Sequence, residues 1–289
     1  MASSSAQNTE ICCAECRKAT MELSEGAKMN RCTACKTVYY CSAEHQKANW
    51  KVHKPACASL SGSAPYILHI DFDRSTTDHA SWCKPLLDSL TIPFSRTYAL
   101  ATKASQALAI LDHPVPPKSI LCTSAAIADA SNTNLRSKMR QYIEKGGRLV
   151  LGGPLPSSLN TTQMHTVFAD FGAPEWKRGK YFRTTHTLSL GHPLYQALPG
   201  NSVARAALPQ SYSCKASLVD NVAQADALYQ TVEGAEHQSP VPSMRHDVKT
   251  GEVAVAVKRV GEGWLAWIGD VNQEQGSNSV TLFLLGMKE

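Results

Sequence analysis

"CKTVYYCSAEHQKANWKVHKPAC", residues 35–57, packs three cysteines and two histidines into one short stretch. Upstream lies a further pair, Cys13-x2-Cys16, and Cys35 itself closes Cys32-x2-Cys35. Within the stretch fall Cys41-x3-His45 and His53-x3-Cys57. An x2 spacing suits a tight turn that presents two sulfurs to one ion. An x3 spacing suits one helical turn, because residues i and i+4 share a face. "SAEHQKANWKVHKPAC" is rich in helix formers, and Ser42 is placed to cap the helix start. Eight donors in four pairs predict two tetrahedral sites. Mixed thiolate and imidazole ligands suit zinc, and a site with four protein ligands and no open position is structural, not catalytic. A segment this short, with few large apolar residues, needs such a staple to fold. Cys12 competes with Cys13 for its place. The x3 spacing it would make with Cys16 fits the turn less well, so Cys12 reads as a spare thiol.

The whole chain supports a metal reading of these cysteines. It has 289 residues, room for one large domain or two smaller ones. A hydrophobic fraction of 43% is too high for a disordered chain. Cysteines 12, 13, 16, 32, 35, 41 and 57 crowd the amino-terminal end, and only Cys83, Cys122 and Cys214 lie beyond. The start "MASSSAQNTEICC" has no apolar signal core, and no apolar run approaches the ~20 residues that span a bilayer. The expectation is a protein of the cytoplasm or nucleus, not secreted and not in a membrane. There thiols stay reduced, and clustered cysteines favour metal over disulfides. The net charge of +5 is spread along the chain, and Lys47, Lys51 and Lys54 read as a solvated helix face, so nucleic acid is not implied.

Residues 13–57 resemble a MYND-type zinc finger. The signs are the four pairs together with "YYC", "HQ", Trp50 and "HKPAC" at the family's positions. His45 departs from the pattern, since the family usually places cysteine there; histidine is a competent zinc ligand. The resemblance implies interleaved sites. Cys13, Cys16, Cys41 and His45 would hold one ion, and Cys32, Cys35, His53 and Cys57 the other. It also implies a shallow groove beside the second zinc pair that holds proline-containing peptide segments of partner proteins. Gln46 and Trp50 match the family's Gln-x3-Trp positions and lie four apart, on one helical face. Two readings of Trp50 stand at this point: a flat platform for peptide, or a core residue of the finger.

Residues 1–12 are expected to be a disordered amino terminus, and "ASLSGSAP" (58–65) a linker. Residues 66–289 then read as a separate α/β domain. "YILHIDFD", "FSRTYAL", "KSILCTSAAI" and "RLVLGGP" read as strands. "HASWCKPLLDSL", "KASQALAILDH", "NLRSKMRQYIEKGG" and "TTQMHTVFADFG" read as the helices between or after them. In the third of these helices Leu135, Met139, Tyr142 and Ile143 share one face, and Gly146–Gly147 closes it. Such alternation predicts three layers around a mostly parallel, flavodoxin-like sheet. Further on, "SYSCKASLV", "DALYQTV", "EVAVAVKRV" and "GWLAWIGDV" read as strands, with a Gly-Glu-Gly hairpin turn joining the last two and a final helix in "SNSVTLFLLGMK".

This region resembles, more loosely, the glutamine amidotransferase-like domains, especially their trehalose-utilisation type relatives. The features are the order of elements, "YIEKGGRLVLGG", "LGHPLYQALP" and "VAVKRVGEGWLAWIGDVNQE". True amidotransferases carry a cysteine at a strained strand-to-helix turn. The matching turn here is "LVLGGPLP", with Gly152 and Gly153 where the thiol would sit, so the resemblance implies a domain without the catalytic cysteine. Ligands in doubly wound folds sit at the carboxyl ends of the strands, where Asp71, Asp73, Thr123, Ser124, Gly152 and Gly153 fall. Cys122 reads as a small buried hydrophobe. His186 and His192 read as turn or core histidines. Asp270, Asn272 and Glu274 either line the same edge or cap the last helix. No phosphate-binding glycine loop and no SET-type methyltransferase motif is present. The reading is a zinc-binding interaction protein, with a possible small ligand at the sheet edge. The alternative is a hydrolase or lyase with a non-cysteine site at that edge.

Overall fold

The structure, a computed structural model, describes residues 12–23, 28–35, 38–60, 67–73, 84–94, 98–113 and 115–286. The disorder expected of the amino terminus falls on residues outside that set, apart from Cys12, which forms an antiparallel bridge with Ala19. Strand β1 (Asn30–Arg31) pairs antiparallel with β2 (Tyr39–Tyr40). Helix α1 (Ala43–Leu60) follows at once. Ser42 caps it as its position suggested: its Oγ accepts the N–H of His45 at 3.2 Å. The helix continues past Cys57 to Leu60, so the linker read from residue 58 begins later; residues 61–65 lie outside the described set.

The larger region begins with β3 (Ile67–Ile70), α2 (Lys84–Phe94), β4 (Tyr98–Ala101) and α3 (Ala104–Leu111). It goes on through β5 (Ser119–Cys122), α4 (Thr133–Glu144), β6 (Arg148–Leu151), α5 (Leu155–Ser158) and α6 (Thr161–Phe171). Then come β7 (Lys177–Leu188), α7 (Pro193–Gln196), α8 (Val203–Ala207), β8 (Ser211–Asp220) and β9 (Ala227–Gln230). The hairpin β10 (Val253–Val260) and β11 (Gly263–Ile268) and the helix α9 (Gln275–Leu284) complete it. Helix α1 of the finger lies against β4 and α3.

The strands form one nine-stranded sheet in the order β4-β3-β5-β6-β11-β10-β8-β7-β9. Only the first half fits the expected parallel pattern. β4, β3, β5, β6 and β11 are parallel neighbours, whereas β11, β10, β8, β7 and β9 pair antiparallel. β9 also pairs with β10, so β10, β8, β7 and β9 close on themselves as a small antiparallel barrel. "Mostly parallel, flavodoxin-like" is therefore corrected to a mixed sheet. A parallel pair needs a crossover of a dozen or more residues, usually a long helix. Beyond α6 the connections hold only the short α7 and α8, single 3-10 turns in loops, or a hairpin, with no long crossover helix, and the chain turns back on itself.

Side chains alternate across the parallel strands, as buried strands require. Leu68, Ile70, Leu149 and Leu151 enter a core beneath α3, α4 and α6, together with Phe168, Trp176 and Trp267. Ile67, Leu121 and Val150 enter the opposite core beneath α2 and α9. The sheet thus has helices on both faces. The predicted face of α4 is the buried one: Leu135, Met139, Tyr142 and Ile143. The Gly-Glu-Gly turn also forms as expected, with Val260 opposite Gly263. A Cβ at Gly263 would come within 2.1 Å of the Gly147 carbonyl oxygen, so the hairpin can tuck under the end of α4 only with glycine there.

Candidate metal centre

Two turns and one helix bring the eight donors together. The first turn follows Cys13, whose carbonyl accepts the N–H of Arg17 at 2.9 Å, with Arg17 in the left-handed region. The second follows β1 directly, and the Cys32 N–H donates to the Val38 carbonyl at 2.9 Å. β2 delivers Cys41 to the mouth of α1, and α1 supplies His45, His53 and Cys57. Two clusters result, Cys13–Cys16–Cys41–His45 and Cys32–Cys35–His53–Cys57, and within each all four donor atoms lie within 4.8 Å of one another.

Cys16 and Cys41 sulfurs are 3.5 Å apart, and the Cys13 sulfur is 3.8 Å from His45 Nδ1. In the second cluster the Cys32 and Cys57 sulfurs are 3.5 Å apart, and the Cys35 sulfur is 3.6 Å from His53 Nε2. A tetrahedral ion with Zn–S bonds of ~2.3 Å sets its ligands roughly 3.5–3.8 Å apart, so both donor sets fit zinc. Cys41 and His45 are closer, at 2.9 Å. Cys12 is exposed and belongs to neither cluster, which leaves the first place to Cys13.

The thiols carry the same electrostatic pattern in both clusters. Burial works to raise the Cys13 thiol, but backbone N–H groups of Cys16, Cys41 and Glu15 outweigh it and bring it down to about 6. Cys32 is lowered in the same way, against burial, by the N–H groups of Cys35 and Ala34. Burial first, and the neighbouring thiols second, push Cys41 up to about 11 and Cys57 up to about 12. Each turn thus favours one thiolate, Cys13 or Cys32, while Cys41 and Cys57 are pushed toward the protonated form, and a nearby cation would favour their ionisation. Zinc held by these eight donors would supply that cation and cross-link the segments that carry them.

Residues 12–57 match the family model of the MYND finger. The chain is 49% identical over 51 positions to a SET and MYND domain-containing protein of Dictyostelium discoideum, a match covering 18% of this chain and 9% of that protein. Over 39 positions it is 49% identical to SET domain and MYND-type zinc finger protein 6 of Schizosaccharomyces pombe, covering 14% of this chain and 8% of that one. The chain therefore matches less than a tenth of these curated relatives' length. Among solved structures, a ThuA-like protein of Bacteroides uniformis overlays loosely at a TM-score of 0.45, with 11% identity, covering 75% of this chain and 88% of its own.

Among the described residues of the finger, Tyr40 is the large aromatic that is fully buried. Its hydroxyl donates to Asn49 at 3.0 Å, while Asn49 donates to Glu15 at 3.0 Å. The Tyr40 ring meets the His53 ring edge-on at 5.8 Å, and Trp50 meets His53 at 5.9 Å. Ligand spacing carries no trace of this aromatic support around His53, because it comes from residues that are not donors.

The other candidate residues are held by structure. Cys122 is fully buried, and burial, with the nearby Asp71 and Asp73 charges, raises its thiol to about 12. Ser124 is buried and donates to Asp73 at 2.7 Å. Thr123 meets His69 Nε2 at 2.8 Å. A Cβ at Gly152 would touch Ile268, and Gly153 has a φ of 65°, so the turn after β6 is left-handed but carries no side chain. Asp270 accepts the N–H groups of Asn272 and Glu274 at 2.9 and 2.7 Å, and Glu274 pairs with Arg183. Both Asp270 bonds lie in the loop before α9, whose N-cap residue Glu274 receives no side-chain cap bond. His192 accepts the Leu194 N–H at 3.1 Å, and His186 is fully buried, held neutral by burial that lowers it to about 4.

The departure at His45 gives a direct test. His45→Cys should retain both metals, because thiolate also bonds zinc well. His45→Ala should lose the first ion, and Cys12→Ser should lose neither. Zinc content of the purified variants reads this out. Two ions in His45→Ala would remove His45 from the ligand set.

Proposed function

We propose that this chain is a zinc-binding interaction protein whose MYND finger holds proline-containing peptide segments of partner proteins. The observation that carries the reading is the placement of the finger's aromatics. Tyr40 is fully buried, whereas Trp50 remains 40% exposed on α1, one helical turn beyond the half-buried Gln46. An exposed indole on a rigid helix offers a flat apolar surface, and an extended proline segment gives up little freedom on docking there. Lys47, Lys51 and Lys54 are exposed around the same helix, as on a solvated face. The clustered thiols suit a reducing compartment, cytoplasmic or nuclear. In this reading the α/β region is a catalytically silent scaffold. The competing reading, a hydrolase or lyase at the carboxyl edge, draws support from the Ser124–Asp73 hydrogen bond, but a fully buried serine has no access to substrate.

Trp50→Ala is the test. Loss of one exposed aromatic platform should weaken binding of a proline-rich peptide by about tenfold or more, with zinc content and the finger's amide spectrum unchanged. A folded, fully metallated variant that binds as tightly as the parent would remove Trp50 from the interface. Loss of zinc would make it a core residue instead.

A further inference from the structure

Residues 231–252 join β9 to β10, and "SPVPSM" (239–244) lies within that connection. Pro240, Val241, Pro242 and Met244 are all exposed, Val241 at 45% and Met244 at 58%. Four apolar residues together make a patch, not a scatter of single side chains. The loop is held in shape from below. Val241 is extended, with φ −90° and ψ 111°, and its N–H donates to Ser239 Oγ at 3.1 Å. Arg245 Nε donates to the Ser239 carbonyl at 3.0 Å, and the Gln238 N–H donates to the Arg183 carbonyl of β7 at 2.8 Å. A loop already ordered gives up little freedom on docking.

Charge is a second, independent observation. Glu233, Glu236 and Asp247 flank the loop, against Arg245 alone of opposite sign. All three acids are exposed, and none forms an ion pair among the described residues. Glu236 and Asp247 stand opposite each other in an antiparallel bridge, where like charges cost stability unless a cation comes between them. On α1 the sign is reversed. Lys47 and Lys54 lie one turn to either side of Trp50 on its own face, and Lys51 adjoins it. These three lysines are exposed and also form no ion pair among the described residues. Each surface is thus an apolar centre with unpaired charge around it, and the two charges are complementary.

We propose that the Pro240–Met244 loop of one copy of this chain docks on the Trp50 face of α1 in a second copy. The proposal rests on the reading of α1 as a platform for proline segments, and it names one segment that the platform holds. The prolines lie on the indole, and the lysines meet the acids at the loop's neck. The contact forms between molecules, because the two surfaces sit at opposite ends of the sheet. Helix α1 lies against β4, the first strand in the order, and the loop is seated on β7, the last but one. The parallel half alone, β4 to β11, spans four strand spacings, about 19 Å. Two different surfaces in contact give head-to-tail association, which runs on into rings or open chains and does not stop at a symmetric pair. One loop on one helix face is a small interface, so the association should be weak and concentration-dependent.

Sedimentation velocity of the full, zinc-loaded chain tests it. The average mass should rise with protein concentration and fall with added salt. Trp50→Ala and Val241→Ser/Met244→Ser change only exposed side chains, so each should melt like the parent while associating about tenfold or more weakly. Lys47→Glu/Lys54→Glu should act as Trp50→Ala does and leaves the indole in place. Mixed, either α1 variant and the loop variant should form a heterodimer and nothing larger, since the first keeps an intact loop and the second an intact finger. A parent that stays monomeric, variants that associate like the parent, or mixtures that stay monomeric would each overturn the proposal. A poly-L-proline peptide separates it from the reading beneath: a parent that binds the peptide yet stays monomeric sinks the self-docking alone, and a parent that does neither sinks both.

Discussion

Stripping the metal with a strong chelator should collapse residues 13–57 and leave the nine-stranded sheet standing. The purified chain should first carry two zinc ions by elemental analysis, one for each four-donor cluster. The finger has almost nothing else to hold it: its two strands are two residues each, and its buried cluster is mostly the ligand cysteines with Tyr40. A structural zinc site contributes ~10–16 kcal/mol of apparent binding energy that is also folding energy, far more than so small a core supplies. The two sites should not empty together. All four residues of the second cluster are buried, whereas three of the first are partly exposed, so the Cys13–Cys16–Cys41–His45 ion should be lost first. Hydrogen exchange during a chelator titration would follow both events. A finger that stays protected after both ions are gone, or a protein that carries only one ion, would contradict this account.

Trp267→Ala should be the most damaging change in the α/β region. Trp267 is fully buried on β11, edge-on to Phe168 at 5.0 Å, and its indole N–H donates to the Ser217 carbonyl at 3.1 Å. β11 is the hinge of the sheet, parallel to β6 on one side and antiparallel to β10 on the other. Truncation leaves a cavity at that junction and an unpaired carbonyl, a cost of about 3–5 kcal/mol, or a Tm drop on the order of 10 °C. Trp267→Phe keeps most of the volume and should cost less. Thermal melts of the zinc-loaded chain would show the order, and an alanine variant melting beside the parent would show that the site collapses without penalty.

What could be read from the sequence was local. Ligand spacing is short-range chemistry, so the eight donors and their helix were visible in the spacing of Cys13 to Cys57. The face of α4 and the alternating strands β3 to β6 follow from periods that a single segment carries. The antiparallel half was less visible because it depends on partners. Its longest strand, "KRGKYFRTTHTL", mixes charge and aromatics, and only its last residues alternate with the core. Which of the finger's aromatics is buried, Tyr40 and not Trp50, depends on how separate segments pack. Spacing along the chain cannot report such meetings.

Helix α1 closes both metal clusters and then runs on to Leu60, against the edge strand β4. For anyone who wants to transplant the finger, this means it is not a detachable cassette. A cut after Cys57, where the ligands end, severs the helix before its last turn is complete. The recipient half of such a cut would also be changed, because β4 ends the sheet and α1 is what lies beside it. An uncovered edge strand invites pairing with another chain. Graft boundaries should therefore fall beyond Leu60, and fragments that begin within α1 are the ones to watch for self-association.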